Sequence, residues 1–324
     1  MIERTLGSPT LRLDPAIASV EDRIKTVTGE PGVSGPVRGL IQSAVDRPGK
    51  RLRPFLVLCS AGDVPSGDPV EVATAVELIH TASLIHDDVM DGAGQRRGKP
   101  ALHQSHGVSP AILAGDFLFA WAFKILSRVG VPEVMPCVVS AVEIMCAGQA
   151  CEWLSMGDTS QSASDYWRRI TKKTAAFTGA CCKAGALVGQ RPPSEIRALT
   201  RYGLLLGLSF QLRDDLMDLD GDPDSMGKPV GSDLRAGILT LPVLYAMKKG
   251  WPVDVDGCRQ PGTAGEEARS RAIQAVLESG GIAHTRMAVR RFTQEAVGCL
   301  KSVSDDRTRI RLSELARRLV HRSR

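Results

Sequence analysis

The chain has 324 residues, of which 43% are hydrophobic, 24% charged and 4% aromatic, with a formal net charge of +5. This composition excludes a disordered chain, and the length allows a large core without metal or disulfide staples. No Asn occurs anywhere, which excludes N-glycosylation and any metal motif that requires Asn as a ligand. The first fifteen residues, MIERTLGSPTLRLDP, contain no apolar core of signal-peptide length. A short helix is expected near 15–27, and Pro31 to Pro36 breaks the chain. Residues 1–35 read as an N-terminal segment and 36–324 as one domain. Helical patterns follow at about 37–45, 51–62, 70–91, 109–129, 133–156, 163–190 and 194–220, each ended by Gly, Pro or Ser clusters. A Gly/Asp/Pro loop comes next, then helices near 237–249, 266–279, 281–302 and 306–322, with 251–265 read as a surface loop. Ala, Leu, Arg, Glu and Met dominate these segments, so the fold class is all-α, a single large helical bundle. No run approaches the roughly 18 apolar residues of a membrane span. The eight cysteines lie mostly in apolar helical stretches without a CxxC pair, which predicts buried thiols in a reducing cytoplasm.

Two segments carry the strongest chemical signal. His86-Asp87-Asp88-Val89-Met90-Asp91 and Arg213-Asp214-Asp215-Leu216-Met217-Asp218 both contain DDxMD, each at the end of a long apolar helix. Residues four apart share one helix face, so Asp87 pairs with Asp91 and Asp214 with Asp218. Like charges at that spacing repel. Two such clusters facing one another need cations, and an all-oxygen carboxylate set suits Mg²⁺, which completes its shell with water and substrate phosphates.

Basic groups stand beside these clusters. Lys50, Arg51 and Arg53 open a helix, Arg96 and Arg97 follow the first cluster, Lys172 and Lys173 start a small-residue stretch, and Lys228 follows the second cluster. Four such groups at loops and helix ends point to an anionic ligand with more than one phosphate.

The segments LIHTASLIHDDVMDGAGQRRGKPALH, AGDFLFAWAF, KKTAAFTGA and FQLRDDLMDLDGD…GKPVGSDLRAGILTLPVL together resemble the trans-polyprenyl diphosphate synthases, from about Arg47 to Tyr245. The resemblance implies a bundle of the isoprenoid synthase type with a central active-site cavity. It implies that Lys50, Arg53, His80 and Arg97 bind isopentenyl diphosphate. Arg96, Lys173, Thr174, Gln211 and Lys228 would hold the allylic diphosphate. Asp87, Asp91 and Asp214 would ligate magnesium, with Asp88, Asp215 and Asp218 as water-mediated partners of the metal site. Lys173, Thr174 and Gln211 are the expected catalytic residues: Lys173 neutralises the departing diphosphate, and the oxygens of Thr174 and Gln211 stabilise the allylic cation. The 92–108 loop is a candidate lid.

In this family the first aspartate helix also walls the growing chain. One turn back from Asp87 stand Ala82 and Ser83, both small, where Phe or Tyr would close the cavity early. One turn spans about 5.4 Å, comparable to one isoprene unit. The expected product is a medium- or long-chain all-trans polyprenyl diphosphate grown from farnesyl or geranylgeranyl diphosphate. Geranylgeranyl diphosphate synthase is the alternative, followed by a partner-dependent synthase subunit. A class I terpene cyclase fits less well, because its second metal motif is normally led by Asn. Two positions depart from many relatives: Ile238 replaces Lys in the GKxT pattern, and Gln149 replaces Glu. The resemblance further implies a homodimer. The stretch from Arg286 to Arg324 holds eleven basic and four acidic residues. It reads as a solvated basic face, or as a peripheral membrane contact for product release from a cytoplasmic enzyme. With Phe292 its single aromatic and no recognition motif, it does not read as a nucleic-acid site.

Overall fold

The structure is a computed structural model that describes residues 15–29, 35–46, 49–63, 68–96, 98–220 and 230–321. In chain order these residues form α1 (Pro15–Thr28), α2 (Gly35–Val45), α3 (Leu52–Ala61), α4 (Asp68–Met90), β1 (Gln95–Arg96), β2 (Lys99–Pro100), α5 (Leu102–His106), α6 (Val108–Leu126) and α7 (Val134–Leu154). There follow α8 (Ala163–Ile170), a turn of π-helix (Thr171–Ala175), α9 (Ala176–Val188), α10 (Pro193–Asp220), α11 (Ser232–Ala236), α12 (Leu241–Lys248), α13 (Val255–Arg259), α14 (Gly262–Glu278), α15 (Gly281–Cys299), a 3₁₀ turn (Leu300–Ser302) and α16 (Asp306–His321). The architecture is all-α; the two strands form one antiparallel pair, Gln95 opposite Pro100 and Arg96 opposite Lys99.

The chain divides into two compact units. The first takes the described residues up to Val139 together with Cys181–Arg197; the second takes Ser140–Ala180 and the described residues from Ala198 onward. In the first unit α4 is the interior helix, packed by α1, α3 and α6. Asp68 and Glu71 complement the positive end of its dipole. Residues 72–79 are buried without a break, the pattern of a helix covered all round. Glu77 lies inside that run, and Arg51 Nη1 donates to its Oε1 at 2.7 Å. A buried carboxylate requires such a partner. Arg51 holds the left-handed φ of 51° to reach it.

The second unit has its own core. Tyr166 and Ile170 of α8, Leu212, Leu216 and Leu219 of α10, and Leu234 of α11 pack with Leu241, Val243 and Leu244 of α12. Helices α14 and α15 close over this cluster through Ala268, Ala272, Val276, Ile282 and Val289.

Several expectations change. The stretch read as one helix over 163–190 is interrupted by the π-turn. The helix expected from 237 starts at Leu241, with proline in its first turn; Gly237, at φ 78°, ends α11 instead. The stretch read as a surface loop at 251–265 contains α13, because the Asp254 side chain accepts from Gly257 N–H at 2.9 Å and caps it. The 92–108 loop is largely the strand pair and α5. The expectation that no segment could span a membrane is also corrected: α6 and α7 are long and apolar enough, by length and composition. They dilute strong apolar residues with Ala, Gly and Ser, which conceals them in a search for unbroken runs. Helix α6 buries Ala111, Ala114, Gly115, Leu118, Ala122 and Leu126, and it packs on α4 and α2 within its unit. All eight cysteines are free thiols, but the expectation that they are buried holds only for Cys59, Cys181, Cys182 and Cys258; Cys146 is exposed and the other three are half-buried.

Candidate active site

In the second unit the site is built around the π-turn. A Cβ at Gly148 of α7 would lie 2.8 Å from the backbone carbon of Lys172 and from Lys173 Cα. A Cβ at Gly207 of α10 would lie 2.7 Å from Ala175 Cα. Two glycines therefore let α7 and α10 close directly on the backbone of 172–175, and neither position has room for a side chain. The extra residue of a π-turn is a common device at functional sites.

The side chains of this turn join a continuous polar network. Thr174 Oγ1 donates to Gln211 Oε1 at 2.7 Å, and Gln211 Nε2 donates to Asp215 Oδ1 at 3.0 Å. Tyr166 Oη donates to the other oxygen of Asp215 at 2.6 Å. The Arg169 guanidinium lies 5.5 Å from the centre of the Tyr166 ring. Its Nη1 donates to Gln161 Oε1 at 2.9 Å and its Nη2 to the Leu239 carbonyl at 2.6 Å. Its Nε stands 3.8 Å from Glu152 Oε2, and the other oxygen of Glu152 takes the Lys173 ammonium. Burial pushes the Asp215 carboxyl up to about 7; the donors Tyr166 and Gln211 oppose the rise, and the neighbouring Asp214 charge adds to it. Burial, followed by the Asp215 charge, holds the Tyr166 phenol well above its ordinary range.

Asp218 faces the chain that follows it. Its Oδ1 accepts from Ser232 N–H at 3.1 Å and from the Ser232 hydroxyl, and its Oδ2 accepts from Asp233 N–H at 3.1 Å. This carboxylate caps α11. Asp214 is partly exposed.

In the first unit Asp87 is partly exposed and Asp91 exposed, whereas Asp88 is buried. Arg96 Nε donates to Asp88 Oδ1 at 2.8 Å, and its Nη2 reaches the same oxygen. Burial alone would lower the pKa of this guanidinium; Asp88, then Asp87 and Asp91, raise it above the ordinary value. Arg96 thus feels all three acids of its cluster. Lys50, Arg53 and His80 are partly exposed. Ala82 is fully buried, and Ser83, partly exposed, donates its hydroxyl to the His80 carbonyl at 2.9 Å. Arg97 and Lys228 lie outside the described residues.

The carboxylates fit a hard divalent cation. Among the described residues no three His, Cys, Asp or Glu side chains form a ready-made cage. Mg²⁺ does not need one, since it is held by one or two carboxylates with waters and substrate phosphates.

The sequence profile of the polyprenyl synthetase family matches residues 36–276. The chain belongs to that family. It is 34% identical over 283 residues to the octaprenyl diphosphate synthase of Escherichia coli, covering 85% of this chain and 87% of that one. It is 35% identical over 288 residues to the geranylgeranyl diphosphate synthase of Methanosarcina mazei, covering 86% and 87%. The heptaprenyl diphosphate synthase of Staphylococcus aureus superposes with a TM-score of 0.89 at 28% identity, over 96% of this chain and 98% of that one. As a member of the polyprenyl synthetase family the chain is a prenyltransferase with the all-α fold of the isoprenyl diphosphate synthases. Tyr166, Glu152 and Arg169 were not foreseen from the sequence. The one signal available for Glu152 was its place one helical turn after Gly148.

Proposed function

We propose that this enzyme condenses isopentenyl diphosphate with farnesyl or geranylgeranyl diphosphate, releases pyrophosphate, and repeats the addition to make a medium- or long-chain all-trans polyprenyl diphosphate. Asp87, Asp91 and Asp214 would hold Mg²⁺, which would supply charge neutralisation for the departing diphosphate. The oxygen-only chemistry of these carboxylates supports this, and so does a related structure: the polyprenyl synthase of Caulobacter crescentus, 30% identical with a TM-score of 0.86, was determined with calcium and isoprenyl diphosphate. Asp88, Asp215 and Asp218, engaged by Arg96, by Tyr166 and Gln211, and by the start of α11, keep the metal-binding acids in place. Lys173, with Arg96 and Lys228, neutralises the allylic diphosphate as its C–O bond breaks. Thr174 and Gln211, locked to one another, direct oxygen dipoles at the allylic cation. Lys50, Arg53, His80 and Arg97 orient isopentenyl diphosphate so that its double bond attacks that cation. Loss of a proton completes each addition, and the released pyrophosphate serves as its acceptor.

The observation that carries the longer product is the wall of small residues, Ala82 and Ser83, one turn behind Asp87. Product sizing tests it, with Mg²⁺, labelled isopentenyl diphosphate and either primer. A ladder reaching six or more units is expected; a stop at four would make the protein a geranylgeranyl diphosphate synthase.

A homodimer fits the apolar side chains left exposed on α6 and α7, among them Ile112, Leu113, Val139 and Ile144. One relative, 37% identical over 239 residues, is component 2 of the heptaprenyl diphosphate synthase of Geobacillus stearothermophilus. Assay of the purified chain alone separates a self-sufficient enzyme from a partner-dependent one. A cytoplasmic enzyme that touches the membrane through its basic C-terminal helices is the matching location.

A further inference from the structure

We infer that Glu152 is a positioning residue for the allylic diphosphate, acting through Lys173; this rests on the proposed reading of Lys173 as a diphosphate ligand. Three charged groups meet here. Glu152 has a side chain only 10% exposed, Arg169 only 5%, and Lys173 27%. Glu152 Oε1 takes the Lys173 ammonium, and Oε2 faces Arg169 Nε at 3.8 Å. Arg169 is pinned separately by Gln161 and the Leu239 carbonyl, so it cannot turn toward a ligand without breaking both bonds. The mobile member is Lys173, whose ammonium sits on a flexible four-carbon stem.

The geometry makes Glu152 a fixed reference for that stem. Gly148, one turn earlier on the same helix, abuts the backbone of Lys172 and Lys173. One helix therefore fixes the root of the lysine by contact and its tip by charge. The carboxylate offsets only one of the two cations, which leaves the group net positive and receptive to a diphosphate. An ammonium held in place needs no further ordering when the anion arrives, which favours binding. Arg169 extends the restraint to Leu239, in the segment that follows the second acidic cluster.

The test compares Glu152→Gln, Glu152→Asp, Lys173→Ala and the double variant Glu152→Gln/Lys173→Ala. Two quantities are read: calorimetric binding of pyrophosphate with Mg²⁺, and steady-state kinetics with each substrate varied. Glu152→Gln should weaken pyrophosphate binding and raise KM for the allylic diphosphate by about tenfold, within the usual range for coupled charged neighbours. Its KM for isopentenyl diphosphate should stay within about threefold of the parent, while kcat falls with the displaced Lys173. Glu152→Asp, which keeps the charge on a shorter arm, should fall between the parent and the glutamine variant and serves if that variant does not fold. The double variant should be no weaker than Lys173→Ala alone. Unchanged or tighter pyrophosphate binding in Glu152→Gln would overturn the inference, as would full additivity in the double variant. If Lys173→Ala binds pyrophosphate like the parent, the reading of Lys173 fails and the inference fails with it.

Discussion

Replacing Gly148 by alanine is the most direct way to separate the π-turn from the rest of the fold. The added Cβ would stand 2.8 Å from two backbone atoms of Lys172 and Lys173, whereas ordinary contacts begin at 3.4 Å. These atoms belong to the main chain, so no flexible side chain can swing away. Helix α7 and the turn must separate by about 0.6 Å or more, an overpacking that costs about 1–3 kcal/mol. For a protein of this size that corresponds to a melting temperature lower by roughly 2–10 °C. The turn carries Lys173 and Thr174, so the same displacement moves the proposed diphosphate ligand, Lys173, and the bond from Thr174 to Gln211. A misplacement near 1 Å commonly costs about 100-fold in rate, and kcat should fall on that order while most of the stability survives. Gly298 on α15 provides the control, because a Cβ there meets nothing within 4 Å. Gly298→Ala should retain full turnover and gain up to about 1 kcal/mol of stability. Thermal unfolding and steady-state kinetics on both variants decide the matter. A Gly148→Ala enzyme that melts with the parent and turns over within threefold of it would refute the close approach and the role assigned to the turn.

Other consequences follow from the same network and from the product wall. Asp215 titrates near 7 in the fold and near 3.9 when unfolded, so between those values the native state holds a proton that the unfolded chain has lost. Stability relative to Asp215→Asn, which cannot titrate, should therefore fall as pH rises from about 4 to about 7 and level off above it; urea unfolding without metal across this range would show a flat difference if the burial argument is wrong. Tyr166→Phe keeps the ring against Trp167 but leaves Asp215 Oδ2 without its donor, for a loss of about 1–3 kcal/mol in chemical denaturation. Ser83→Phe should shorten the product to four units or fewer without abolishing the first addition, and an unchanged ladder would show that the floor lies on another helix.

What the sequence made legible was chemistry that repeats and segments that are long. Two DDxMD runs at the ends of apolar helices announce carboxylate sites because helical spacing alone aligns i with i+4. The helices around them are visible because their breakers are strong, as with the prolines and glycines before α4 and α10. The π-turn is not visible, since the glycines that pack against it stand on two other helices, 24 and 32 positions from the residues they meet. Tyr166 and Asp215 lie 49 residues apart, and Glu152 and Lys173 lie 21 apart. No local pattern links such pairs, and a lone Tyr or Glu on a helix reads as an ordinary side chain. Helix α13 was hidden for a different reason: a single capping aspartate outweighs the Pro/Gly-rich composition around it.

The six aspartates show where periodicity stops being informative. Helical geometry turns each residue about 100° from its predecessor, so the middle acid of each run faces away from the first. Asp88 and Asp215 are each only 3% exposed, and each is met by protein donors: the two nitrogens of Arg96 in one unit, Tyr166 and Gln211 in the other. To that extent the motifs behave alike. The same geometry would make Asp218 the counterpart of Asp91, since both stand four residues after the first acid. Asp218 instead receives the first two amides of α11 and the hydroxyl of Ser232. The difference lies in the chain beyond the motif: after Asp218 it returns as a helix whose open N–H groups need an acceptor, whereas Asp91 is followed by Gly92 and the strand pair. The carboxylate face is set by the helix that carries it, but whether a carboxylate on that face stays available to a cation depends on which donors the following chain brings back to it.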